Sequence, residues 1–171
     1  MDDHRTSTGS DRAKGPRPDA GAAHLVVRAA DALVAVPAAN ALEVWAPERC
    51  HPVPGTPPYV IGVASFRGAP VPLIDLATAL DLGGQARLGG ARAALDGRRA
   101  VLASTPSFLV GLVVDGALGV LDFTPDQMRR PKVVAAGRLS ELATDEVETP
   151  RWGVAAVLDL EAFLDAVRVR S

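Results

Sequence analysis

Cysteine is almost absent: Cys50 is the single thiol in 171 residues. That excludes an internal disulfide framework and any cysteine-rich zinc site, and it fits a reducing compartment. Lysine is scarce, with 2 against 16 arginines, and the formal net charge is −2. No half of the chain is strongly basic, so the concentrated cationic face of a nucleic-acid binder is missing. Aromatic residues make up 4%, which leaves little for the stacking platforms of single-strand binders. Long apolar runs are lacking too. The longest uncharged stretch, Cys50 to Phe66, contains four prolines and would strand backbone polar groups in lipid, so no direct membrane insertion is expected. Residues 1–23 carry four acids, four bases and no apolar run. They read as a disordered N-terminal tail rather than a signal peptide.

What the chain does have is apolar content, 48%, in a length suited to one domain with a sizeable core. Gly 16 and Pro 14 punctuate short β-branched runs. His24–Ala29 and Leu33–Pro37 read as a hairpin, and the folded domain is expected over 24–171. Pro37–Val44 suits a helical turn, with Pro at its start. Tyr59–Arg67 and Ala69–Ile74 read as strands joined at Arg67-Gly68. Asp75 can cap a short helix that follows it. Residues 83–97 are Gly/Ala-rich and predict a flexible loop. Arg99–Ser104, Phe108–Val114 and Ala117–Leu121 predict three more strands. Thr124-Pro125-Asp126-Gln127 is a capping-box pattern. Leu139–Ala143 and Trp152–Leu158 predict the last strands. Leu160, Phe163, Leu164 and Val167 share one face of a C-terminal helix. Many short strands with Gly/Pro turns and brief helices predict a mainly β barrel or sandwich. No internal repeat is visible at a fixed period.

The chemistry of an enzyme does not assemble. His4, His24 and His51 have no further Cys or His at ligand spacing, so no metal site is expected, and the histidines read as surface or half-buried side chains. The glycines at 83–90 lack the Lys-Ser/Thr of a phosphate loop. Ser65 does not have nucleophile-elbow spacing. Asp115 and Asp122 could form a carboxylate pair, but both fall where turns need them. The chain therefore reads as a non-enzyme without cofactor.

One segment stands apart. Arg67 lies between two strongly apolar strands, where an unpaired buried charge would cost several kcal/mol. It is either a solvated hairpin tip or the partner of a carboxylate. Glu43 is the nearest upstream acid in an apolar context.

These residues resemble the CheW-like domain of bacterial chemotaxis coupling proteins. The resemblance rests on Gly62-Val63, Ser65-Phe66-Arg67-Gly68 and Val71-Pro72-Leu73-Ile74-Asp75-Leu76. Val110-Gly111-Leu112-Val113-Val114-Asp115-Gly116 and Val157-Leu158-Asp159-Leu160 follow in the same order. Ser65 and Phe66 stand where the family signature has Asn and Leu. The resemblance implies two small five-stranded SH3-like β-barrel subdomains with short helices and a C-terminal helix. It implies a non-catalytic, cytoplasmic adaptor between the signalling tip of a methyl-accepting chemoreceptor and the regulatory domain of a CheA-type histidine kinase. Partner contacts are expected at Arg67, Glu43, Gly68, Phe66 and Ser65. The alternative reading is a small β-barrel nucleic-acid-binding protein.

Overall fold

The computed structural model describes residues 21–82, 94–132 and 137–168. The tail up to residue 20, and residues 83–93 of the expected loop, lie outside them. The elements with both ends among the described residues are β1 (Ala22–Ala29), β2 (Ala32–Pro37), β3 (Ala41–Trp45), β4 (Val60–Phe66), β5 (Ala69–Asp75), α1 (Leu76–Ala79), β6 (Arg99–Thr105), β7 (Phe108–Val114), β8 (Gly116–Phe123), α2 (Leu139–Leu142), β9 (Ala143–Thr149), β10 (Gly153–Leu158) and α3 (Leu160–Val167). They form two five-stranded sheets, ordered β8-β1-β2-β10-β9 and β3-β6-β7-β5-β4. The fold is mainly β, as expected from the sequence.

The two sheets repeat one plan. Each has one parallel pair, β2 with β10 and β5 with β7. Each edge strand carries a bulge at the same place: Ala41 and Glu43 oppose Ala103 and Leu102, just as Ala117 and Gly119 oppose Val27 and Val26. Each sheet rolls toward a barrel through one extra bridge, His51 to Val63 in one and Arg129 to Glu146 in the other. In each, an Asp ends a strand and caps a helix: Asp75 accepts from Thr78 N and Asp159 from Ala162 N, both at 3.0 Å. The repeat is written in the sequence as Ala41-Leu42-Glu43-Val44 against Ala117-Leu118-Gly119-Val120, and as Ile74-Asp75-Leu76 against Leu158-Asp159-Leu160. The copies are unequally spaced, and the second is completed by β1 and β2 from the start of the chain, so a search for one fixed period misses it.

Three cores result. Val26, Ala35, Phe123, Val147 and Val157 fill the first barrel. Ala64, Leu73, Leu95, Ala100 and Val113 fill the second, with Trp45, Cys50 and Ile61 against them. Between the barrels lies a larger shared core. It takes Leu25 and Val27 from β1, Val34 and Val36 from β2, Val101 and Ala103 from β6, Val110, Leu112 and Val114 from β7, and the buried face of α3. Successive side chains of these strands serve different cores. Runs such as Gly-Leu-Val-Val and Ala-Ala-Val-Leu are therefore apolar without alternation, the mark of strands buried on both faces.

Several sequence expectations need correction. Pro37–Val44 is not a helical turn: Ala38–Asn40 form the turn and β3 starts at Ala41. Helix propensity in Ala and Leu yields here to pairing with β6. Leu139–Ala143 is not a strand but α2 leading into β9. Thr124 and Gln127 do bond, with Gln127 Oε1 accepting from Thr124 N at 2.9 Å. No helix follows, because Arg129 is drawn into its bridge with Glu146. The loop expected to run to residue 97 ends sooner, since Leu95 is buried in the second barrel.

His24 is fully buried rather than at a surface. Its Nδ1 donates to Ala22 O at 2.9 Å, its ring lies 5.7 Å from that of Phe123, and Nε2 has no hydrogen-bond partner. Burial lowers its pKa below the ordinary 6.5. Above that value both folded and unfolded chains hold it neutral. As pH falls through it, the unfolded chain takes the proton first, so stability declines until the lowered folded pKa is passed. We expect the urea midpoint to fall between pH 7 and pH 5.5, and His24→Leu to flatten that part of the profile. An unchanged profile would mean that another group sets it.

The α3 face supplies a second check. Leu160, Phe163, Leu164 and Val167 are all at most 4% exposed. Tyr59 Oη donates to Val167 O at 3.1 Å, and the Arg168 guanidinium lies 5.8 Å from the Phe108 ring centroid. We expect Phe163→Ala to cost about 3–5 kcal/mol in denaturant unfolding. A loss under about 1 kcal/mol would make the helix peripheral.

Candidate partner-binding surface

The β4–β5 hairpin turns at Arg67 and Gly68, with φ of +48° and +83°. Positive φ at both central residues is the type I′ turn, which matches the twist of its strands and favours Asn or Gly at the first position. Arg67 is neither, so its side chain sits on a backbone that costs about 1–2 kcal/mol for an ordinary L residue. From this tip Nη2 donates to Glu43 Oε2 at 2.6 Å. The guanidinium also lies 5.1 Å from the centroid of the Phe66 ring, close enough for a cation–π contact. Phe66 in turn tilts against Trp45 at 4.9 Å between centroids. Trp45 lies over Gly111, where an added Cβ would come within 2.7 Å of the indole and 2.5 Å of Leu73. The Gly of Val110-Gly111-Leu112 is thus the space that the Trp needs.

The five residues singled out in the sequence form one corner. Ser65, Arg67 and Gly68 are exposed and Phe66 and Glu43 half-buried. The ion pair is open to solvent, the side chains being 73% and 38% exposed. Only one of the guanidinium's donor groups is used on Glu43. What sequence reading missed is the apolar flank. Leu42 and Val44, on either side of Glu43, are 58% and 39% exposed. Leu109 is exposed on β7, two residues before Gly111 and so on the same face. The β5–β7 register places it toward the end of the sheet that bears the Arg67 turn. The signal was present in Ala41-Leu42-Glu43-Val44-Trp45, whose alternation implies an edge strand with an apolar outer row.

The duplicated barrel shows what the fold itself requires at this corner. The position equivalent to Glu43 is Gly119, and the equivalent hairpin tip runs Pro150-Arg151-Trp152. There the Trp152 ring covers Gly119, 3.2 Å from where a Cβ would stand. One barrel closes its seam with an apolar stack, the other with an exposed ion pair. Val120, equivalent to Val44, is likewise exposed.

Nothing in the described residues composes a reactive centre. They hold no group of three or more His, Cys, Asp or Glu that could bind a metal ion. A cleft of about 420 Å³ beside the Arg129–Glu146 bridge is lined by Gln127, Arg129, Glu146, Glu148, Thr149, Pro150 and Val154, with no His or Cys among them. Asp115 and Asp122 do not pair: Asp115 accepts from the buried Arg98, while Asp122 lies in β8 opposite Ala23. His51 is exposed and Cys50 half-buried, with burial pushing the Cys50 thiol pKa up, away from the lowered values of reactive cysteines. No helix among the described residues is long and apolar enough to cross a membrane.

The comparisons with known proteins bear on the fold and the family. The family model for the CheW-like domain matches residues 23–168. Protein FrzA of Myxococcus xanthus is 34% identical over 93 residues, which is 54% of this chain and 54% of FrzA, so the match spans about half the length of that relative. The crystal structure of the scaffolding protein TtCheW from Thermoanaerobacter tengcongensis superposes with a TM-score of 0.68 at 18% identity, covering 95% of this chain and 94% of that one. Two duplicated five-stranded sheets and a family match across nearly the whole described fold lead to one assignment: the chain belongs to the CheW-like domain family.

Proposed function

We propose that this protein couples the signalling tip of a methyl-accepting chemoreceptor to the regulatory domain of a CheA-type histidine kinase, acting in the cytoplasm and reaching the membrane only through those partners. The corner made by Ser65, Phe66, Arg67, Gly68 and Glu43, flanked by Leu42 and Val44, is its docking surface. The observation that carries this reading is the contrast between the barrels. The same seam contact is apolar at Trp152–Gly119 and ionic at Arg67–Glu43. The fold can therefore close without charge, and the ionic version places an arginine on a strained turn in open solvent. An exposed ion pair adds only about 0–1 kcal/mol to stability, so stability does not account for it. Recognition does: Glu43 holds one edge of the guanidinium while its remaining donors face outward for a partner acceptor. Apolar residues beside such an anchor make the usual composition of a signalling interface. The nucleic-acid alternative lacks support, since the corner pairs its one guanidinium with a carboxylate.

Two substitutions test the reading. Arg67→Asn places a residue that the turn prefers. We expect its stability to stay within about 1 kcal/mol of the parent while capture of receptor and kinase falls. Arg67→Glu sets a like charge beside Glu43 and against the partner, where juxtaposition can cost several kcal/mol. We expect it to remain folded by circular dichroism and to lose binding by tenfold or more. A well-folded Arg67→Glu protein that binds both partners normally would return Arg67 to a mere hairpin tip.

A further inference from the structure

We infer that a buried ionic triad, Arg98 with Asp75 and Asp115, specifies one relative placement of the two barrels rather than supplying net stability. Arg98 stands at the foot of β6 with its side chain 4% exposed, between carboxylates 6% and 21% exposed. Nη1 donates to Asp75 Oδ2 at 2.6 Å and to Ala94 O at 3.0 Å, and Nε donates to Asp115 Oδ1 at 3.0 Å. Asp115 is the one residue between β7 of one sheet and β8 of the other. Its Oδ2 accepts from Ala30 N at 2.8 Å, holding the β1–β2 turn where Ala30 has φ of +52°, and its own N donates to Arg28 O at 2.9 Å. One guanidinium is thus tied through one carboxylate to the opposite barrel, at a point where the chain crosses.

Such a tie matters because the rest of the contact is poor in direction. The shared core is almost wholly Val, Leu and Ala, with Phe163 its one buried aromatic. Aliphatic burial follows area, not angle, and apolar cores lose uniqueness of arrangement before they lose stability. Duplication sharpens the problem, since β1 and β2 offer a surface like that of β6 and β7. The triad occurs in one copy only. The registers place Ala22 where the other half has Arg98, and the equivalent crossing, Ala38-Ala39-Asn40, is uncharged. Asp75 and Asp159 recur as helix caps, but only Asp75 meets a guanidinium. A feature present once can distinguish two arrangements that the aliphatic surfaces do not. Buried ion pairs often contribute nothing net to stability, so specificity is the role left to this one.

The test uses the full chain with Cys50→Ala, and nitroxide labels on cysteines placed at Ser107 in the β6–β7 turn and Glu148 on β9, exposed positions on different sheets. The central variant is Arg98→Met with Asp75→Asn and Asp115→Asn, which removes the charges but keeps acceptors for Thr78 N and Ala30 N. We expect its melting temperature to lie within about 5 °C of the parent. We expect the single narrow inter-label distance of the parent to broaden or split. Arg98→Met alone removes the guanidinium from the buried Asp75 carboxylate and should melt at least about 10 °C lower. A narrow, unshifted distance in the triple variant would overturn the inference. So would a triple variant that melts as low as Arg98→Met, because the triad would then act through stability. Neither readout involves a partner, so the outcome is independent of the docking surface.

Discussion

Burial of β1, β2, β6, β7 and β10 on both faces is the constraint from which the rest of the structure follows. A strand with two apolar faces must lie between two cores, and here it lies between a barrel interior and the layer shared by both barrels. That requirement explains the Val- and Ala-rich runs, the scarcity of large aromatic side chains, and the short crossings at Ala38–Asn40 and Asp115. Asn40 bonds Ser104 with both its side chain and its carbonyl, and Asp115 serves Arg98 and Ala30 together. The buried polar residues are His24, Asp75, Arg98 and Thr149, and of these Arg98 reaches a crossing, through Asp115.

The same constraint shapes the periphery. Central strands are mostly buried, Leu109 on β7 and Val154 on β10 apart, so edge strands and hairpin tips carry much of the open surface. β3 and the β4–β5 tip form such an edge. Its departure from the duplicated copy, Arg67 and Glu43 where the other barrel has Trp152 and Gly119, is the observation on which the docking proposal rests. Strain points the same way, since Arg67 holds a left-handed backbone that a glycine or asparagine would adopt more readily.

Much of this was legible in the sequence. The α3 face followed from helical spacing of Leu160, Phe163, Leu164 and Val167. The hairpins were visible in Ala30-Asp31 and Arg67-Gly68, and Glu43 was the carboxylate that Arg67 meets. The failures share a cause. Ala and Leu between Pro37 and Val44 favour a helical turn, whereas pairing with β6 makes 41–45 a strand. Arg98 adjoins a Gly/Ala-rich stretch, where nothing local reveals a charge whose partners lie at residues 75 and 115. The duplication was hidden by permutation, and His24 by a burial that depends on β8 returning to cover β1. In each case long-range pairing overrode a local signal.

The central claim is that one charged corner, set by β3 and the β4–β5 turn, is where partners dock. Amide chemical-shift mapping tests it most directly, with isotope-labelled protein titrated separately with a receptor signalling tip and with a kinase regulatory domain. The account predicts that at least one partner produces its largest shifts at Leu42–Trp45 and Ser65–Ala69. Shifts from both partners confined to other surfaces, with those two segments silent, would contradict it.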